Sequence, residues 1–147
     1  MGARANYFHL NRPALDALTA VNTHLTSIEP KLRVLIQLRV SQINGCVYCV
    51  NLHSGEAREL GETQQRLDCL CVWHESKLFD ERERAALQWA EALTDVSHTH
   101  APDSAYDALS PHFAENQIVD LTLITATINA WNRIAIGHRA QPARRPA

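Results

Sequence analysis

The chain has 147 residues, 14 Lys and Arg against 16 Asp and Glu, a formal charge of −2 and an apolar fraction of 46%. Such a chain buries roughly two-thirds of the surface its unfolded form exposes, so it folds without disulfide staples and is not of disordered composition. The near-balanced charge provides no field for a polyanion, no stretch approaches the ~20 uninterrupted apolar residues of a membrane span, and Met1-Gly2-Ala3-Arg4-Ala5-Asn6 has no apolar secretory core. The expectation is a cytoplasmic protein with neither nucleic acid nor membrane as partner.

Ala, Leu, Glu and Arg dominate and Gly is scarce, which predicts an all-α fold of about seven helices, a single-domain helical bundle over residues 1–140 with a disordered tail at 141–147. The first helix starts near Pro13 behind Asn11, with Leu15, Leu18 and Val21 or Asn22 as its stripe. The second runs from Pro30, with Leu32, Leu35, Ile36 and Val40 on one side, to the Asn44-Gly45 breaker. The third covers Cys46 to about Leu60, closed by Gly61. Thr63 caps a short fourth helix through about Trp73, and Asp80 with Glu83 forms a capping box for a fifth, with Leu87, Ala90 and Leu93 inward. Glu81 to Arg84 alternates in charge and reads as a solvated face. Asp95 to Ala101, with His98 and His100, reads as a solvated polar loop. A brief helix follows from Pro102-Asp103 to Ser110-Pro111. The last runs from Glu115 to Ile136, closed by Gly137, and is apolar over more than one stripe, which predicts central burial or a subunit interface.

The chemistry concentrates in Ser41-Gln42-Ile43-Asn44-Gly45-Cys46-Val47-Tyr48-Cys49-Val50-Asn51-Leu52-His53. On a helix, Cys46, Cys49 and His53 share one face, with neighbouring Cβ atoms roughly 5–6 Å apart. Two thiols at that spacing can close into a disulfide and reopen with little backbone movement. An imidazole one turn beyond Cys49 can take its proton and leave the nucleophilic thiolate. Helix-terminal amides favour negative charge on Cys46 instead. Redox catalysis fits these residues best. Structural zinc is an alternative that would need Cys69, Cys71 or His74 as a fourth ligand, and inert buried cysteines beside a hydrogen-bonded histidine are another. Cys69 and Cys71 themselves read as core or semi-buried thiols, His74 as a surface or capping residue and Trp131 as packing, with Asn132 and Arg133 beside it at a pocket or interface. Val50 after Cys49 excludes covalent haem.

The run Leu38-Arg39-Val40-Ser41-Gln42-Ile43-Asn44-Gly45-Cys46-Val47-Tyr48-Cys49 with His53 (core motif 38–53) resembles the alkylhydroperoxidase AhpD-like family of the carboxymuconolactone decarboxylase superfamily. The likeness continues through Trp73, Phe79, Glu83 to Leu87, Glu91 to Thr94 and Asn129 to Arg133. The resemblance implies an AhpD-like, homo-oligomeric helical fold and peroxidase chemistry without metal, haem or other cofactor. It implies Cys49 as the peroxidatic thiol, Cys46 as the resolving thiol and His53 as the proton acceptor, with Tyr48 as an auxiliary group. A base within reach of Cys49 outweighs a dipole effect on Cys46 usually below about 1 kcal/mol. The implied partners are a small-molecule hydroperoxide and a dithiol reductant, either a protein or a lipoyl-type carrier.

Two positions depart from the family's best-studied branch. Its relay glutamate is Val34 here, flanked by Arg33 and Gln37, and the histidine before its second cysteine is Tyr48. A phenol, ordinarily titrating near pH ~10, is a poor base at neutrality. The relay is then either Cys49–His53 alone or one completed by another carboxylate, such as Glu56 or Glu91. A general disulfide oxidoreductase or a redox-sensing oligomer would use the same residues, whereas a lactone decarboxylase has no evident use for the cysteine pair.

Overall fold

The computed structural model describes residue 2 and residues 4–144, and among these it is all helical, with nine α-helices and two 3-10 turns. The chain opens with a four-residue helix α1 (Tyr7–Leu10), which the sequence reading lacked. Asn11 then caps α2 (Arg12–Val21), its side chain accepting from the Ala14 amide. The expected stripe Leu15, Leu18 and Val21 is half-buried, so α2 lies on the surface of the bundle. A 3-10 turn (Asn22–His24) leads to α3 (Pro30–Asn44), with Pro at its first position.

Helix α3 is the centre of the molecule. Leu32, Ile36 and Val40 enter one core cluster with α6 (Glu81–Thr94) and α9 (Glu115–Gly137), while Val34, Leu35 and Leu38 enter a second with Ala57, Leu67, Leu70, Trp73, Phe79 and Leu87. A helix with core on two sides cannot show a single clean stripe, which is why the sequence displayed only half of this burial. Helix α4 (Val47–Glu59) packs against it, followed by Leu60 and Gly61, the latter at φ 81°. Thr63 caps α5 (Gln64–Cys69), accepting from the Arg66 amide.

The expected helix through Trp73 stops at Cys69 and continues as a 3-10 stretch (Leu70–Glu75), with Val72 outside helical geometry. That break leaves Cys69 half-buried, as expected, but turns Cys71 outward to an exposed position, contrary to the semi-buried reading. Asp80 and Glu83 form the expected capping box of α6 (Glu81–Thr94). The charged run at its start is not a solvated face. Arg82 pairs with Glu29 and lies over the Phe113 ring, Glu83 pairs with Arg66, and Arg84 donates to the carbonyls of Trp73, His74 and Ser76.

The polar loop after α6 contains one helical turn, α7 (Val96–Thr99), followed by His100 and Ala101 in the left-handed region. His98 is solvated as expected, with its ring on Asp95 at 2.6 Å. Helix α8 spans only Asp103–Asp107, short of Ser110-Pro111, and α9 (Glu115–Gly137) completes the bundle. Ile118, Leu121, Ile124 and Ile128 of α9 are buried, while Val119, Leu123 and Ile136 face outward. Gln117 and Asp120 of α9 hold Ser27, fixing the entry into α3. Gln141 to Arg144, at the start of the expected tail, has no regular secondary structure, and 145–147 lie outside the described residues. No helix among the described residues is long and apolar enough to cross a membrane.

Candidate active site

The site is built on the turn between α3 and α4. Gly45 ends α3 at φ 70°, a conformation that a side chain would disfavour, and redirects the chain. The Gly45 and Cys46 amides donate to the carbonyls of Gln42 and Ser41, at 3.2 and 3.0 Å, so the turn leaves neither unpaired. Cys46 is therefore the capping residue of α4 and not a first-turn member. Its Sγ accepts from the Cys49 amide at 3.3 Å, the place a cap oxygen usually takes.

Behind this turn lies a buried polar network. The Asn44 amide donates to Asn132 Oδ1 at 2.8 Å and Asn129 Oδ1 at 2.9 Å, and Asn132 Nδ2 donates to Ser41 Oγ at 3.0 Å. Asn132 is fully buried, and the network bolts the end of α3 to α9. Asn132 is thus a buried strut and not a pocket lining.

Cys46 and Cys49 are joined as a disulfide with their Cα atoms 5.3 Å apart, the one-turn geometry their spacing predicts. Both are buried, at 1% and 4% exposure, against Ala135 of α9 with Tyr48 and Ala140 alongside. His53, 7% exposed, follows one turn after Cys49, and its Nδ1 lies 2.8 Å from Glu56 Oε2. Of the two carboxylates weighed from the sequence, Glu56 is the one at the site. Glu91 is engaged by Arg39, Trp73 Nε1 and His74. Val34 packs in the second core cluster, while its neighbours Arg33 and Gln37 reach the site cavity.

That cavity, of about 410 Å³, has Cys49, His53, Tyr48, Leu52 and Glu56 on its α4 wall. Arg33 and Gln37 of α3 form a second wall, and Ile128, Trp131 and Ala135 of α9 a third. Tyr7 and Phe8 of α1, with Thr19 and Asn22, complete it. Cys46 does not line it. Burial, and secondarily the neighbouring Tyr48, push the Tyr7 phenol above its usual range, so it stays protonated and available as a donor. Trp131 is both packing and cavity wall. Cys69, Cys71 and His74 do not join the Cys46–Cys49 pair, and no group of three or more His, Cys, Asp or Glu among the described residues is placed to hold a metal ion.

The sequence reading missed the contribution of α1, whose four residues carry no capping or periodic signal. Arg33 and Gln37 had a usable one. They are polar residues one turn apart in a helix otherwise buried at 32, 34–36, 38 and 40.

Comparison with known proteins identifies the family and the fold. The family model for the carboxymuconolactone decarboxylase family matches residues 12–92. The chain is 39% identical over 144 residues to YdfG of Bacillus subtilis (strain 168), covering 95% of this chain and 98% of that one. The crystal structure of ATU0492 from Agrobacterium tumefaciens, for which an antioxidant defence role of the AhpD kind has been suggested, superposes with a TM-score of 0.93 at 38% identity, covering 97% of this chain and all of that one. A peroxidase-related protein from Silicibacter sp. TM1040 superposes with a TM-score of 0.82 at 27% identity, covering 93% and 74% of the two chains. The chain belongs to the carboxymuconolactone decarboxylase family and is of its AhpD-like kind.

Proposed function

We propose that this protein is a thiol-dependent peroxidase in which Cys49 reduces an organic hydroperoxide and Cys46 resolves the product. The observation that carries this reading is the asymmetry of the pair: Cys49 opens with His53 onto a cavity sized for a small organic ligand, and Cys46 does not. Glu56 on Nδ1 orients the His53 ring and leaves Nε2 for proton exchange. In the reduced protein the Cys49 thiolate attacks the terminal peroxide oxygen. The S–O bond forms, the O–O bond breaks, and the alcohol leaves with a proton returned through His53. Cys46 then displaces hydroxide from the Cys49 sulfenic acid, giving the disulfide and water. A dithiol, protein or lipoyl-type, restores both thiols by exchange, so the net reaction converts hydroperoxide and dithiol to alcohol, water and disulfide. Such a cycle fits a reducing, cytoplasmic setting, and the outward apolar side chains Val119, Leu123 and Ile136 of α9 support a homo-oligomer.

The test is peptide mapping of the reduced protein after one equivalent of an organic hydroperoxide, followed in time. Rapid formation of the Cys46–Cys49 disulfide, abolished by Cys49→Ser, is the expected result. A disulfide that forms with oxidised dithiols but not with peroxide would replace this reading by a general disulfide oxidoreductase.

A further inference from the structure

The cavity beside Cys49 is lined by Arg33, a cation that forms no ion pair among the described residues. Arg33 donates from Nη1 to the Asn22 carbonyl at 3.3 Å, and its buried Nε has no hydrogen-bond partner among the described residues. The ion pairs of the described residues use Arg12, Arg39, Arg66, Arg82 and histidines, and none uses Arg33. Nε is closed off from water, so what a ligand in the cavity meets is the half-buried outer part of a guanidinium whose charge is not neutralised by an ion pair among the described residues.

We propose that Arg33 binds the carboxylate of the substrate, so that the peroxide reduced at Cys49 is a carboxylate-bearing organic hydroperoxide. This deepens the peroxidase reading and rests on it. The rest of the cavity matches an amphipathic acid: Phe8, Leu52, Ile128 and Trp131 offer an apolar wall for its hydrocarbon part. A volume of about 410 Å³ lies in the roughly 300–1,000 Å³ range of small-ligand sites. With Nη1 on the Asn22 carbonyl and Nε closed off, the outer guanidinium nitrogen is the donor that would meet a carboxylate oxygen in a charge-assisted hydrogen bond. Glu56 lines the same cavity, and it borders with Glu59 an adjoining hollow that also touches Arg33. These carboxylates offset the long-range attraction for an anion, so recognition here rests on direct contact. Gln37, one turn after Arg33, adds a neutral polar group to the same wall.

The test compares the hydroperoxide of a ten-carbon carboxylic acid with that of its methyl ester, in the wild-type protein, Arg33→Met and Arg33→Lys. Decanoate binding to the disulfide form, measured by calorimetry, gives a readout independent of turnover. The wild type should favour the acid over the ester in kcat/KM, and Arg33→Met should lower that ratio about ten- to hundredfold, mainly through KM. Arg33→Lys should keep part of the preference, and decanoate binding should weaken in parallel. Equal use of acid and ester by the wild type overturns the proposal, and does so even where Arg33→Met fails to fold. Decanoate binding indifferent to Arg33→Met overturns it as well. Arg33-dependent decanoate binding without turnover of any peroxide supports the carboxylate site while removing the peroxidase reading.

Discussion

His53 and Glu56 form a pair within α4, with Nδ1 of the buried ring 2.8 Å from a carboxylate oxygen whose side chain is half exposed. Val34, at the position where the resemblance implies a relay glutamate, is buried in the core, and the carboxylate beside His53 comes from α4 itself. The pair holds the ring through Nδ1, and in the proposed mechanism this leaves Nε2 for proton exchange.

Replacement of His53 by Ala should slow peroxide-driven disulfide formation by about 10²- to 10⁴-fold, the usual worth of a positioned base. Glu56→Gln should cost less, about tenfold or below, because a half-exposed pair is screened by water. Stopped-flow measurement of hydroperoxide consumption under single-turnover conditions checks both. Equal rates for His53→Ala and wild type would remove His53 from the mechanism.

The two cysteines should fail differently. Cys49→Ser should abolish reaction with peroxide, whereas Cys46→Ser should react once and stop at a sulfenic acid on Cys49. Mass spectrometry with a sulfenic-acid trap distinguishes them, and trapping on Cys46 in Cys49→Ser would reverse the assigned roles.

Much of this was legible before the fold. Pro30, Gly45, Gly61 and the Asp80–Glu83 box mark helix ends by local backbone chemistry, and the Cys46–Cys49–His53 face follows from helical periodicity alone. Other features depend on distant partners. The charged start of α6 looked solvated because its partners, Glu29, Arg66 and the Trp73–Ser76 carbonyls, lie far along the chain or in an irregular turn. Helix α1 has too few residues to show a period. Arg33 and Glu56 belong to different helices, and only the packing of α3 on α4 brings them to one cavity.

The asparagine network should be stability-critical. Asn132→Ala would take one partner from the Ser41 hydroxyl, which keeps the Gln37 carbonyl, and one from the Asn44 amide, which keeps Asn129 Oδ1, at about 1–3 kcal/mol in all. Thermal unfolding should show a loss of roughly 2–12 °C on the scale of about 2–4 °C per kcal/mol for a chain this size. Cys49 reactivity in that variant, measured well below its transition, reports whether the strut also holds the turn.

Glu29 predicts a feature of the acid limb. The hydrogen bond from Arg82 holds its carboxyl below the usual range, against an opposing effect of burial. A carboxyl whose folded pKa is depressed contributes stability above its unfolded value, near 4.5, and loses it as pH falls through the folded value. Glu29→Gln should therefore lower stability slightly at neutral pH, by below about 1 kcal/mol for so exposed a pair, and flatten the decline below that value. Urea midpoints across the acid range measure it, and parallel declines in the two proteins would show that Glu29 contributes nothing.

Arg66 is the residue whose loss should hurt most outside the site. It sits between Glu62, whose side chain is fully buried, and Glu83, at 2.8 and 2.6 Å, and its guanidinium lies 4.6 Å from the centre of the Phe79 ring. Glu62 Oε2 has no partner among the described residues, and Arg66 is the charged group paired with this buried carboxyl. Removing one member of a buried pair leaves the other uncompensated, at about 3–5 kcal/mol, while removing both can be nearly neutral. Arg66→Met should thus lower the melting temperature by roughly 10 °C or more. Adding Glu62→Leu should restore much of it, because the stranded charge is then gone. Were the double variant as unstable as the single one, the cost would lie in the Glu83 and Phe79 contacts and not in the buried carboxylate.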